Sequence, residues 1–571
     1  MTENKHIGKI IYALIALALT AVFLISAAAK GLLGLDKTAL GAKIAKAASD
    51  TGIGQEYESE LFDTDSVMTV DIIMSDDEWQ ELLDNAINEQ YSPCDIVING
   101  ETFYNVGIRA KGNTSLTNIV NDDTTDRYSF KIKFDEYVTG QTCHGLDKLV
   151  LNNNYADATN MKEAIVYDMY AYLDADASLY NYSKISVNGE YIGVYIALEG
   201  VEDSFMLRNY GTKNGELYKP ENMDFGDGPS DKRRDPPKLE QDGFNPENMP
   251  EGFDPEKMPE GFDPEKMQNK EKFPDRGGFG GGGGSNLEYT DDDLDSYSTI
   301  WNGAVTDSSN KDHKRVVKAL KAISEGDLSS IEEYMDVDNL LKYMAVHEFA
   351  VNGDSLSGNM AHNYYLYESE GQLNIIPWDY NLSWGGIAGG GHPQSGEDPA
   401  EPRATIDEVD SDGRASFKTA DATSVINDPI DDSWESTNFF DILLENEEYN
   451  AKYHEYLQML VDYVENGEYE KVTNRIHSQI DELVKTDPTA FYTYDEYEAA
   501  TTMLDEVIHL RAESIKGQLD GTIPDTSEGQ KADSSTLVDG TGIDTSVMGR
   551  MNGGGGPGDN KGRPGMGENK E

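Results

Sequence analysis

Apolar and polar residues alternate in short runs from about Leu61 onward, and turn-forming residues bound each run. Residues 67–74 (VMTVDIIM) read as a strand. Residues 76–88 (DDEWQELLDNAIN) read as a helix, with Ser75 placed to cap it and acids in the first turn, where the helix dipole favours them. Residues 94–98, 104–111, 129–134 and 146–151 read as further strands. Met161, Ile165, Met169 and Leu173 recur every fourth position and predict a helix over 158–173. Residues 183–187 and 191–198 flank Asn188-Gly189, which supplies the positive φ angles of a two-residue hairpin turn. A short helix is expected over 202–209.

The pattern then changes twice. GFNPENMPE (243–251), GFDPEKMPE (252–260) and GFDPEKMQN (261–269) form a nine-residue repeat, and a glycine run over 277–284 follows it. Pro and Gly at this density with few aliphatic residues cannot bury a core, so 221–290 reads as a disordered insertion. From Asp312 the chain becomes helical, with the best helices over 314–324 and 337–350. A hairpin over 363–367 and 373–377 is joined at Glu370-Gly371. Residues 388–433 read as an acidic loop, and 438–516 as helices ending at Gly517. The Gly-, Ser- and Asp-rich residues 518–571 read as a disordered tail. The class is therefore α+β, with a strand-rich part over 61–220 and a helical part over 291–517.

The N-terminal end adds a membrane signal. Residues 10–29 (IIYALIALALTAVFLISAAA) carry no charge and are long enough to span a bilayer, and Lys5 and Lys9 precede them. Ala27-Ala28-Ala29 would suit a signal peptidase, but the run is long for a cleaved segment. The reading is an uncleaved transmembrane anchor over 1–30, a stalk over 31–60, and a soluble part outside the cytoplasm. Lys30, Lys37, Lys43 and Lys46 blur the orientation count.

With 46 Lys and Arg against 106 Asp and Glu, the net charge is −60. That argues against nucleic-acid binding, which needs clustered cations, and against docking of the soluble part on anionic lipid. Cys94 and Cys143 are too few for a disulfide framework and have no metal-site spacing; they pair or stay free according to compartment.

Several chemistries fail on spacing. His347-Glu348 opens like a zinc-protease motif, but Val351 stands where the second histidine belongs. The glycine run leads into Ser285-Asn286 and lacks the lysine of a phosphate loop. Asp291, Asp293 and Asp295 resemble a calcium loop, but Ser296 replaces its glycine and Asn302 its terminal glutamate.

Residues 347–386 carry the strongest chemical pattern. Asp354 is followed five positions later by Asn359, and Asp379 lies beyond the hairpin. A kinase-type site uses acid, amide and acid in this order. The first orients or accepts the hydroxyl proton, and the other two hold Mg²⁺ on nucleotide phosphates. The plain alternative is a polar loop beside a hairpin. Lys131 and Lys133 share one strand face, Lys148 lies on the next strand, and Glu163 could brace a phosphate-binding lysine; each alone is equally a surface charge. The order of strands, helix, hairpin and Glu199 also follows that of protein kinases.

The residues that make the pattern specific are Arg109-Ala-Lys-Gly-Asn-Thr-Ser115, Ser129-Phe-Lys-Ile-Lys-Phe134, Leu149-Val-Leu-Asn-Asn-Asn-Tyr-Ala-Asp157, Asn188-Gly-Glu-Tyr-Ile-Gly-Val-Tyr195 with Glu199, Glu216-Leu-Tyr-Lys219, His362-Asn-Tyr-Tyr-Leu-Tyr367 and Ile376-Pro-Trp-Asp-Tyr-Asn381. In combination they resemble the spore coat protein H (CotH) family of atypical protein kinases over roughly residues 65–385. The resemblance implies a two-lobed kinase-like fold, ATP with Mg²⁺ or Mn²⁺, and phosphorylation of Ser or Thr on proteins such as spore coat components. It also implies that Asp354 is the catalytic acid, Asp379 the metal-binding acid and Lys131 the nucleotide lysine. Lys133, Glu163 and Glu199 join the expected nucleotide site, and Asn359 is the expected second metal ligand by spacing. Two positions depart from the family pattern: Ala110-Lys111-Gly112-Asn113 stands for an Arg-Gly-Asn stretch, and Asn381 stands where another acid is common. The alternative function is a weakly active or inactive kinase-fold scaffold or adhesin-like surface protein.

Overall fold

The computed structural model describes residues 52–220, 282–358, 361–387, 406–409, 415–417, 422–434 and 436–551. The expected membrane segment, the repeat and Asn359 lie outside the described residues. Among the described residues, no helix is long and apolar enough to cross a membrane.

Seven strands close into a barrel: β1 (Met68–Ile73), β2 (Ser92–Ile98), β3 (Glu101–Lys111), β4 (Ser129–Lys133), β5 (Lys148–Asn152), β6 (Tyr180–Val187) and β7 (Glu190–Glu199), in the order β1-β2-β3-β4-β5-β7-β6. β1 closes it by pairing antiparallel with β2 and parallel with β6 (Met68 opposite Ser183), which leaves no exposed edge. The β6–β7 turn has Asn188 at φ 53° and Gly189 at φ 84°, as its sequence requires. Helix α1 (Asp76–Asp84) begins at Ser75, whose hydroxyl accepts from Glu78 N while the Glu78 carboxylate accepts in return.

Alternation decides the two faces of this barrel. Ile108, Ala110, Phe130, Ile132, Leu149 and Leu151 fill its interior. Arg109, Lys111, Lys131 and Asn152 therefore project outward. Val150, Val194, Ile196 and Leu198 on that outer face join the core of the helical part. Cys94 and Cys143 are both buried in the barrel and both free.

Helix α2 (Thr114–Val120) follows the Gly112 turn, and α3 (Lys162–Tyr172) packs across the outer face. α3 starts later than its apolar stripe predicts, because Asn154, Ala156 and Asn160 all adopt positive φ in the turns before it. It is buried nearly all round, Lys162 and Glu163 included. Helix α4 (Asp203–Tyr210) leads to a second sheet, ordered β10-β9-β8, of β8 (Glu216–Tyr218), β9 (Tyr364–Ser369) and β10 (Gln372–Pro377). Helices α5 (Asn310–Glu325), α6 (Val337–Ala350), α7 (Glu447–Glu465), α8 (Glu468–Lys485) and α9 (Tyr494–Leu519) complete an α+β molecule with a helical C-terminal part.

Three expectations are corrected. The chain is already packed by residues 282–290: Ser285 and Leu287 are buried, so that stretch is not part of an exposed insertion. Residues 422–434 are anchored by Val425, Ile426, Ile430 and Trp434 rather than forming acidic loop. Helix α9 runs through Gly517 to Leu519, and the chain beyond stays packed to Met551 through Ile523, Met548 and Met551. A few well-spaced apolar residues hold this polar segment, and Ala158 N donates to Met548 O across it.

Candidate active site

α6 ends at Val351 in the left-handed conformation (φ 46°), which turns the chain sharply into the loop carrying Asp354. Asp379 follows Pro377-Trp378 at the end of β10 and is itself left-handed, with φ 66°. A side-chain-bearing residue is seldom held there, and such conformations cluster at functional sites. Asn352 ties the two loops: its Oδ1 accepts from Asp354 N (3.2 Å), and its Nδ2 donates to Asp379 O (3.2 Å).

The Asp354 carboxylate is held from both sides. His362 Nε2 lies 2.8 Å from Oδ1, and Asn363 Nδ2 donates to Oδ2 (3.1 Å) and to the Asp354 carbonyl (2.7 Å). Burial alone would lower the His362 pKa, but the adjacent Asp354 charge holds it above the ordinary value. Asp379 is raised by burial and by the Asp354 charge, against the pull of Lys111, Lys219 and His362.

The barrel contributes a relay to this cluster. Lys111 Nζ donates to Asn152 Oδ1 (2.6 Å), and Asn152 Nδ2 donates to Glu163 Oε2 (2.9 Å). Register places it there: Lys111 and Asn152 are the outward residues at the ends of β3 and β5, and Glu163 opens α3 beneath them. Burial lowers the Lys111 pKa, opposed chiefly by Asp379. Burial and Asp379 raise Glu163 to about 8. Lys111 also lies over the Trp378 ring (5.7 Å), and Lys219 over Tyr365 (5.9 Å). Lys219 reaches Asp379, Lys111 and Lys131 electrostatically.

The structure thus brings Asp354, Asp379 and Glu163 into one cluster. Lys131 lies on β4 with Glu202, Lys148, Arg109 and Lys219 as its charged neighbours, is lowered to about 7 by burial, and forms no hydrogen bond or ion pair among the described residues. Lys133 is engaged elsewhere, donating to Glu136 Oε2 (2.7 Å) on the surface. Glu199 is also committed elsewhere: Tyr57 and Arg208 hold Oε1, and Arg208 and Leu179 N hold Oε2. Asn381 uses its amide to donate to Tyr155 O (2.8 Å). Lys111, Asn152, Lys219, Asn352, His362 and Asn363 were not singled out in the sequence as site residues. For Lys111 the available signal was its place immediately before Gly112.

Among the described residues, no three His, Cys, Asp or Glu side chains form a ready cage for a metal. The donor set nevertheless fits Mg²⁺ or Mn²⁺ on a nucleotide, because such an ion takes only one or two protein carboxylates and completes its shell with phosphate oxygens and water. Asp379 supplies one such carboxylate, and Glu163 Oε1 has no hydrogen-bond partner among the described residues.

A family model described as CotH kinase protein matches residues 108–515. A stretch of 59 residues is 39% identical to inner spore coat protein H of Bacillus subtilis (strain 168), covering 10% of this chain and 15% of that relative. The family match takes in the barrel from the end of β3 onward, both acidic loops and helices α2 to α8 with most of α9, so the chain belongs to the CotH kinase protein family.

Proposed function

We propose that the chain is an ATP-dependent protein kinase of the atypical kind, transferring the γ-phosphate to Ser or Thr of surface or spore coat proteins. The single observation that carries this reading is the meeting of two loops and a barrel relay. Asp354 and Asp379 are joined by Asn352, and Asp379 in turn faces Lys111 and Glu163 of the Lys111–Asn152–Glu163 chain. In this reading the barrel serves as the β-rich lobe, the helical part as the second lobe, and ATP lies between them.

Each residue then has a task. Asp354 accepts the proton of the acceptor hydroxyl as its oxygen forms the new bond to phosphorus and the bond to the ADP oxygen breaks. His362 and Asn363 fix the direction of that carboxylate. Lys111 and Lys219 neutralise phosphate charge, with Lys131 adjacent. Asp379 would hold the divalent ion, which when bound draws charge from the phosphate oxygens. Asn359 keeps its place as a second ligand by spacing alone. The likeness to a spore coat protein and the apolar run over 10–29 support a surface location, with membrane anchoring through that run.

The test is transfer of labelled phosphate from ATP to the chain itself or to a generic protein with Mn²⁺, with products identified by mass spectrometry. Phosphoserine or phosphothreonine formed by the wild type and lost in Asp379→Ala supports the proposal. No transfer by the wild type, or equal transfer by the variant, overturns it. Label recovered on a nucleotide or glycan would replace the acceptor class.

A further inference from the structure

Glu163 is buried at 4% exposure on the first turn of α3, and its two oxygens are treated differently. Oε2 accepts from Asn152 Nδ2 at 2.9 Å. Oε1 has no hydrogen-bond partner among the described residues. In a kinase-type site an acid at this place braces the phosphate-binding lysine directly. Here Lys111 gives its hydrogen bond to Asn152 Oδ1, so the amide stands between lysine and glutamate. Glu163 therefore has an oxygen left over for another task.

Its surroundings say what that task is. The charge that acts on Glu163 most strongly is the Asp379 carboxylate, followed by Lys111 and Asp157. Asp157 is already occupied, accepting from Thr159 and from the Lys162 backbone. Two buried carboxylates that face each other repel, and an unfilled carboxylate oxygen adds its own desolvation cost. A hydrogen-bond donor would relieve only the second problem. A cation between them relieves both, and a hard divalent ion is suited to two carboxylate oxygens plus phosphate and water.

We propose that Glu163 Oε1 would serve with Asp379 as a ligand of the divalent cation, while Oε2 holds the Lys111 relay. One side chain then couples the ion to the phosphate lysine. The inference rests on the phosphoryl-transfer reading of Asp379 and assigns Glu163 a role beyond bracing.

The experiment is Mn²⁺ binding to the full chain, followed by the electron paramagnetic resonance signal of free Mn²⁺, with and without a non-hydrolysable ATP analogue. Glu163→Gln keeps the shape and the bond to Asn152 but removes the charge. It is expected to weaken Mn²⁺ at least 10-fold, as is Asp379→Asn. It is also expected to abolish the rise in melting temperature that Mn²⁺ gives the wild type. Lys133→Ala, which removes a lysine paired with Glu136 on the surface, is expected to bind Mn²⁺ as well as the wild type does. If Asp379→Asn loses Mn²⁺ and Glu163→Gln does not, this inference is wrong and the functional reading stands. If both variants bind like the wild type, both fail. Should Glu163→Gln not fold, Glu163→Ala and Glu163→Asp carry the same comparison, with the shorter acid retaining more affinity than alanine.

Discussion

His362 Nε2 lies 2.8 Å from Asp354 Oδ1, so the proposed proton acceptor is paired with a titratable imidazole whose charge it favours. Asp379 and Lys219 also face His362, the first favouring its charge and the second opposing it. While His362 is protonated, it draws charge from Asp354 and makes it a poorer base. Activity should therefore rise with pH through an ionisation above 6.5, the ordinary value that His362 exceeds. His362→Gln should lose that inflection while retaining the amide contact, as read from kcat across pH 5.5 to 9. The stability effect runs the other way. A raised folded pKa contributes fully below the unfolded value and is lost as pH rises through the folded one. The melting temperatures of wild type and His362→Gln should differ most below the ordinary value of 6.5 and converge as pH rises through the higher folded value.

Lysines on one strand face should separate cleanly. Lys111 makes a buried bond to Asn152 beside Asp379, whereas Lys133 pairs with Glu136 on the surface. A charge-assisted bond from Lys111 to an ATP phosphate would be worth about 1.5–3 kcal/mol, so Lys111→Met should raise the KM for ATP about 10- to 100-fold. A surface pair contributes at most about 1 kcal/mol, and Lys133→Ala should leave KM and kcat within about twofold. Lys131→Met should fall between them, because burial keeps its ammonium poorly solvated beside Lys219. Steady-state kinetics with varied ATP decide the order.

This contrast shows where sequence reading runs out. Asn188-Gly189 and Glu370-Gly371 announce their turns because positive φ selects residue type locally, and both turns have it. Asp354 and Asp379 stand out because acids in apolar surroundings need a reason. Lys111 carries no such mark: Arg109, Lys111, Lys131 and Lys133 all alternate outward. Only the pairing of β3 with β4 and β4 with β5 shows which lysine meets Asn152 and Glu163. Glu199 looked like a site acid because it ends a strand in the expected order, yet Arg208 and Tyr57 enclose it. The packed segment over 520–551 was illegible because its composition is that of a linker. Its placement depends on a handful of residues such as Met548 meeting a core built elsewhere.

Asn381 should not be improved by restoring an acid. Its Nδ2 donates to Tyr155 O at 2.8 Å, and a carboxylate cannot donate there. Asn381→Asp would leave the carbonyl facing a like partial charge, costing about 1–3 kcal/mol. The variant should melt lower than the wild type and gain no phosphotransferase activity. A higher activity with tighter Mn²⁺ would mean that the acid seen in relatives acts as a ligand here too.

Arg127 and Asp487 join the barrel to the turn between α8 and α9, with a 2.8 Å ion pair whose side chains are each 2% exposed. Arg127 also donates to Asn153 O (3.1 Å), Val194 O (2.6 Å) and Thr489 Oγ1 (2.8 Å), and lies over the Tyr195 ring at 4.6 Å. Asp487 in turn accepts from Val194 N at 3.0 Å. Removing one partner leaves a charge stranded in a closed interior, so Arg127→Ala should cost about 3–5 kcal/mol. Arg127→Met combined with Asp487→Leu removes both charges and should recover part of that loss, though the carbonyls of Asn153 and Val194 would still lack their donor. Denaturant midpoints of the wild type, the single variants and the double variant measure the coupling. A double variant no more stable than the sum of its parts would mean that the pair acts as separate anchors. If it is coupled as expected, loosening the seam should raise the KM for ATP before it unfolds either side. Asn152 and Val194 sit on adjacent strands of the face that this clasp presses against the helices.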